Sequence, residues 1–184
     1  MEGVVSTRVG YAGGTSKNPT YANLGDHTET IDIVFDPRRI TYEELLRVFW
    51  ESHDPRAPSL SRQYASFIFF HTNEQKTLAL KTKEEVESRG GRKVSTHVVP
   101  AGIFYPAEDY HQKYYLRRYE GVVRELEVLH QGQGDYVTST AAARINGYLG
   151  GNGSLERLTQ QLRTIGLSAE TTERVTKAVR GAMR

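Results

Sequence analysis

Apolar and polar residues alternate from Val4 to Tyr11, the pattern of a half-buried strand. A second run, Thr30–Asp36, predicts another strand, stopped at Asp36-Pro37 because proline fixes φ and offers no N–H to a ladder. Thr41 followed three residues later by Glu44 is a capping box, and Leu45, Leu46, Val48, Phe49 and Trp50 then furnish the inner side of a helix. Ala65–Phe70 is a short apolar run that suits a buried strand. Asn73 stands where it caps a long polar helix, Glu74–Arg89, which Gly90-Gly91 ends. Val94–Val99 alternates again up to Pro100, and Pro106 suits the first turn of a helix from Ala107 to about Tyr119.

Strands interspersed with helices and long connections predict an α+β fold, a mixed sheet covered by helices. Further along, Leu155, Leu158, Leu162 and Ile165 recur at helical spacing. Ser168 then caps a second amphipathic helix carrying Val175 and Val179. Gly150-Gly151-Asn152-Gly153 reads as a flexible link. The two helices are therefore expected to form an appended hairpin that the rest of the fold can spare.

A length of 184 residues fits one domain with enough apolar content to bury a core. No apolar run approaches a membrane span, and MEGVVSTR lacks the apolar stretch of a signal peptide, so a cytoplasmic protein is expected. The chain has no cysteine, which excludes disulfides, zinc-thiolate sites and any thiol mechanism run from within it. Its six histidines are scattered without ligand spacing, so no metal is expected. The net charge is +2, yet residues 137–184 carry seven basic against three acidic side chains. That basic tail has one aromatic, Tyr148, and no stacking platform, so a solvated helical face fits it better than nucleic-acid binding.

The candidate chemistry lies in Gly10–Glu29, GYAGGTSKNPTYANLGDHTE. The segment is too rich in glycine and polar residues for a regular element, and loops this long in a compact domain are usually functional. It holds Tyr21, Asp26, His27 and Glu29, a set of donors, acceptors and a titratable acid. An ordered surface loop without chemistry is the alternative.

The segments GYAGG, NPTY and HTE resemble the signature of the type A peptide methionine sulfoxide reductases. Matches continue in order through FDP (Phe35–Pro37), FWESHDP (Phe49–Pro55), RQY (Arg62–Tyr64) and FYPAEDYHQKYY (Phe104–Tyr115). The similarity covers roughly residues 3–120. It implies a family domain over residues 1–135, a two-layer sandwich, with a C-terminal helical extension over 136–184. The departure is the nucleophile, which in that family sits in a Gly-Cys-Phe-Trp motif on a strand ahead of the loop. The resemblance therefore leads us to expect a truncated reading of a longer reductase, with its first strand missing and a cysteine or selenocysteine upstream. An acidic residue ahead of the family's GTQY-type motif is also replaced: Ser59 stands about there, and the motif reads SRQY.

What the resemblance implies for the site follows from sulfoxide chemistry. The sulfoxide oxygen gains basicity as a nucleophile attacks sulfur, so a neutral acid and hydrogen-bond donors must be aimed at it. By resemblance Glu29 is the acid, and Tyr21 and Tyr64 are phenolic donors. A glutamic acid serves near neutral pH when burial favours its neutral form, so Glu29 is expected in an apolar or aromatic concavity. His27, His111 and Tyr114 are assigned to the substrate pocket, His27 by organising the loop rather than by moving a proton. Asp109 and Gln112 are expected to fix loops. The implied substrates are oxidised proteins or peptides containing methionine sulfoxide. The resemblance further implies that no cofactor is bound and that thioredoxin or another thiol is the reductant, and a monomer is expected. A non-catalytic relative that only recognises methionine sulfoxide is the alternative.

Overall fold

The computed structural model describes residues 1–131 and 135–183. The capping box forms at the start of α1 (Tyr42–Glu51): the Glu44 N–H donates to Thr41 Oγ1 at 3.2 Å, and the Thr41 N–H donates to Glu44 Oε2 at 2.8 Å. Helix α2 (Asn73–Gly90) is capped one residue earlier than expected, by Thr72, and ends at Gly91 in the left-handed conformation. The strands are β1 (Val4–Ala12), β2 (Thr28–Phe35), β3 (Phe67–Phe70), β4 (His97–Pro100) and β5 (Tyr105–Pro106). They form a three-stranded sheet in the order β2-β1-β5 and a parallel β3-β4 ladder, so the α+β class holds with two small sheets.

The chain divides into two compact units. One comprises Val9–Ile31 and Asp36–Glu108. Its core is Leu46, Trp50, Ile68, Ala79 and Val94, where α1 and α2 cover the β3-β4 ladder. The Trp50 indole N–H is satisfied inside that core by Thr82 Oγ1 at 3.0 Å, as a buried donor requires.

The helix expected from Ala107 does not form. Tyr105-Pro106 instead pairs antiparallel with β1, Gly10 opposite Pro106. Proline is tolerated there because β5 is an edge strand whose ladder can lose one N–H. Gly10 is required at that register, since a Cβ would lie 2.3 Å from the Tyr105 carbonyl oxygen. Beyond Glu108 the chain makes two short 3-10 turns, Asp109–His111 and Leu116–Arg118. Lys113, at φ 49°, interrupts any continuous helix between them, and its buried Nζ donates to the Thr7 carbonyl at 2.5 Å.

The other unit comprises Met1–Arg8, Asp32–Phe35 and the residues from Asp109 onward. It contains α3 (Glu120–Leu129), α4 (Thr140–Leu149), α5 (Leu155–Ile165) and α6 (Ala169–Ala182). Sequence patterning identified α5 and α6, with Ser168 capping α6 as expected, but not α3 or α4. The expected few contacts between this hairpin and the rest of the fold are not what the structure shows. Leu158, Leu162, Val175 and Val179 are all buried against Leu116, Val122, Leu126 and Ile145 in one core. Glu125 on α3 also accepts from the backbone N–H and hydroxyl of Ser168, tying the α6 cap to α3. Among the described residues no helix is long and apolar enough to cross a membrane.

Candidate functional site

The Gly13–His27 loop is built on two side chains that turn back into it. The Asp26 carboxylate accepts from the backbone N–H and hydroxyl of both Thr15 and Ser16, at 2.7–3.0 Å. Those four bonds, the Ser16 backbone bond foremost, hold its pKa far below the usual carboxylate range. His27 is 1% exposed. Its Nδ1 accepts from the Gly14 N–H at 3.2 Å, while Nε2 lies 2.8 Å from the Ser16 carbonyl. That pairing calls for the neutral Nε2–H tautomer, with both ring nitrogens engaged inside the loop. Gly14 admits no side chain here, because a Cβ would meet Asp26 Oδ1 at 2.5 Å.

Tyr21 sits in the tight Thr20–Asn23 bridge, and its backbone N–H donates to Glu108 Oε1 at 3.0 Å. The other oxygen of Glu108 accepts from the Tyr11 hydroxyl at 2.6 Å. Tyr64 comes from the 3-10 turn Arg62–Tyr64, which is fastened to the loop and to β2. Arg62 Nε donates to the Asp26 carbonyl at 2.6 Å and Nη2 to the Gly13 carbonyl at 2.9 Å. The same guanidinium lies over the Phe67 ring, 5.1 Å from its centroid. The Thr28 hydroxyl donates to the Gln63 carbonyl at 2.9 Å, and Gln63 Nε2 donates to Glu29 Oε1 at 2.7 Å.

Three separated segments thus bring Tyr21, Glu29 and Tyr64 together. Tyr21 and Glu29 both lie close enough to the Tyr64 phenol to act on its ionisation. Tyr21 beside it, partial desolvation and Glu29 push the Tyr64 pKa above its ordinary value, in that order. Such a phenol stays protonated and keeps its donor. The expected burial, however, is absent. Tyr21 is 44% and Tyr64 61% exposed, and Glu29 is exposed as well. Strand alternation is the cause: Thr28 points inward at 1% exposure and so turns Glu29 outward.

His111 and Tyr114 belong to the other unit. The His111 ring lies 4.2 Å from that of Tyr110, and exposed Tyr114 packs edge-on against Tyr115 beneath the Arg118 guanidinium. The residues that sequence reading passed over are Arg62, Gln63 and Glu108. Each lies within two residues of Tyr64 or Asp109, inside the RQY and FYPAEDYHQKYY segments, whose pattern does not say which members support the others.

Comparison with known proteins places the chain. The family model for peptide methionine sulfoxide reductase matches residues 1–139. A peptide methionine sulfoxide reductase of Drosophila melanogaster is 42% identical over 168 residues, covering 90% of this chain and 67% of the relative. Peptide methionine sulfoxide reductase A5 of Oryza sativa subsp. japonica is 42% identical over 154 residues, covering 80% of this chain and 60% of its own length. The chain thus spans about two thirds or less of these relatives. The crystal structure of Mxr1 from Saccharomyces cerevisiae in reduced form aligns with a TM-score of 0.59 at 30% identity, over 65% of this chain and 74% of that one. On these matches, the chain belongs to the peptide methionine sulfoxide reductase family of oxidoreductases.

Proposed function

We propose that the chain recognises methionine sulfoxide in oxidised proteins or peptides and supplies the proton-donor half of its reduction to methionine. The observation that carries this reading is the meeting of three separate segments at one place: Tyr21 and Glu29 both act on the Tyr64 phenol, and Gln63 beside Tyr64 bonds Glu29. Two phenols and a carboxyl group make a donor set for one basic oxygen. Tyr21 and Tyr64 hydrogen-bond the sulfoxide oxygen, and Glu29, its neutral form favoured once bound substrate covers the exposed carboxyl, donates the proton as the S–O bond breaks. Asp26 and His27 hold the loop that carries Tyr21, and Glu108 holds Tyr21 by its backbone.

Reduction of a sulfoxide to a sulfide takes two electrons and two protons, supplied by two thiols that end as a disulfide with release of water. The chain has no cysteine, so the attacking thiolate is not one of its own side chains. The attacking group therefore comes from outside these 184 residues, and a thioredoxin-type protein or another thiol regenerates it, in a thiol-rich compartment such as the cytoplasm, with the chain acting as a monomer. The lack of cysteine also favours a second reading, a module that binds methionine sulfoxide without turning it over.

The test is titration of the chain with the two sulfoxide epimers of N-acetylmethionine methylamide, followed by NMR. Binding of one epimer, with perturbed signals at Tyr21, Glu29 and Tyr64 and loss of binding in Glu29→Ala, is expected. Absence of binding by either epimer, or perturbation confined to other residues, overturns the reading.

A further inference from the structure

The nearest polar partner of Glu29 is a residue to which that reading assigns no role. Gln63 Nε2 donates to Glu29 Oε1 at 2.7 Å. Its amide orientation follows from the chemistry, since the opposite flip would set a carbonyl oxygen against a carboxylate oxygen. The Gln63 backbone is held from the same strand, by the buried Thr28 hydroxyl on its carbonyl at 2.9 Å. Adjacent residues of β2 therefore grip one glutamine at two points, main chain and side chain. Arg62 anchors the same turn through its bonds to the Asp26 and Gly13 carbonyls. A glutamine on a fixed backbone loses less freedom on making its side-chain bond than one on a mobile loop.

We propose that Gln63 is a positioning residue for Glu29: its amide N–H occupies Oε1, so the acid carries its proton on Oε2 and presents it to the sulfoxide oxygen. This rests on the reading of Glu29 as the proton donor. In the neutral acid Oε1 is the carbonyl oxygen, which accepts, and Oε2–H is the hydroxyl, which donates. Without Gln63 the carboxyl can rotate and place its proton on either oxygen, so a fraction of the molecules present the wrong atom. No bond is made or broken by Gln63 itself. Its reach is specific, because asparagine is one methylene shorter and falls about 1.5 Å short of Oε1.

The experiment is a double-mutant cycle in sulfoxide binding, with Gln63→Met, which keeps length and removes the donor, and Glu29→Gln. Gln63→Met is expected to weaken binding of the preferred epimer about five- to tenfold, the size of one hydrogen bond. The same substitution in the Glu29→Gln background should cost little more, because a residue acting through Glu29 has nothing left to orient. Gln63→Asn should fail to rescue. In the 1H-15N spectrum of the free chain, the Gln63 side-chain amide signals should move in Glu29→Ala. Additive losses in the cycle, full affinity in Gln63→Met, or unmoved amide signals would each overturn the proposal. If the unsubstituted chain binds neither epimer, the donor-set reading falls and takes this inference with it. If it binds and Glu29→Gln weakens it while Gln63 does not couple, only the positioning role falls. Unchanged backbone spectra in Gln63→Asn and Gln63→Met guard against a folding defect.

Discussion

Arg62 donates to the backbone carbonyl of Asp26 at 2.6 Å, joining the turn that carries Tyr64 to the loop that carries Tyr21. A second bond, to the Gly13 carbonyl, makes the planar guanidinium a two-pronged clamp between both ends of that loop. Lysine has one rotatable ammonium and cannot satisfy both carbonyls in this geometry. Arg62→Lys is therefore expected to loosen the loop and lower stability by about 1 kcal/mol, given the exposure of the pair. Thermal melting and amide exchange over residues 13–27 measure it. Unchanged protection in that segment would show that Asp26 and His27 hold the loop unaided.

The Asp26 carboxylate gives the loop an acid limit. Its folded pKa is depressed, the Ser16 backbone bond being the largest cause. A depressed acid contributes stability above its unfolded pKa, near about 4, and that stability is withdrawn as pH falls toward the folded value. Protection of the Thr15 and Ser16 amides should hold at neutral pH and decline below about pH 4. Asp26→Asn should weaken protection at neutral pH and remove the acid dependence. An identical pH profile in the two proteins would assign the transition to another carboxylate.

Tyr64 sets a limit at the alkaline end. Its pKa is raised, first by Tyr21. The sign is the reverse of Asp26: the contribution is complete below the unfolded value of about 10 and is lost as pH rises through the folded one. Titration of 13Cζ-labelled tyrosine should show Tyr64 ionising late. Tyr21→Phe should bring it back toward the ordinary value, and a Tyr64 titration indifferent to Tyr21 would contradict the contact.

The last two helices complete a core rather than decorate one. Leu162 is 3% exposed, and Leu158, Val175 and Val179 beside it are as deeply buried. Leu162→Ala is expected to cost about 2–5 kcal/mol in urea unfolding, the range for a truncated buried leucine. Deleting the residues after Gly151 should abolish cooperative unfolding of the unit that contains α3 and α4, because Leu126 and Ile145 lose their cover. A deletion variant that still melts cooperatively would restore the picture of a spare hairpin.

Turnover by the 184-residue chain with dithiothreitol as sole reductant is expected to be undetectable. Tyr21, Glu29 and Tyr64 can polarise the S–O bond, but lysine and serine are poor substitutes for a soft thiolate at sulfur. Product analysis by mass spectrometry decides it. Turnover abolished by Glu29→Gln would show that an external thiol attacks directly.

Local rules made much of this protein legible before any coordinates. The Thr41–Glu44 capping box, the Ser168 cap and the Gly91 stop involve neighbours in sequence, so their geometry follows from residue type. Alternation over Val4–Tyr11 marked β1, and the motifs around Tyr21, Glu29 and Tyr64 marked the candidate site. The segment after Pro106 misled because its composition is compatible with a helix. What defeats that helix is distant in sequence: the pairing of Tyr105 with Tyr11, and the Thr7 carbonyl that captures Lys113.

The sequence by itself determined the family, the starts of β1, α1, α5 and α6, and which side chains carry donors and acids. Only the tertiary structure decided who supports them. Gln63 was one of many polar residues until Thr28 and Glu29 gripped it, and Leu162 belonged to a detached hairpin until Leu126 and Ile145 were set against it. Exposure of Glu29 was decided in the same way, by the register that turned Thr28 inward. Hydrogen bonds and burial between residues far apart in the chain depend on which elements meet. Periodicity and caps report only on neighbours.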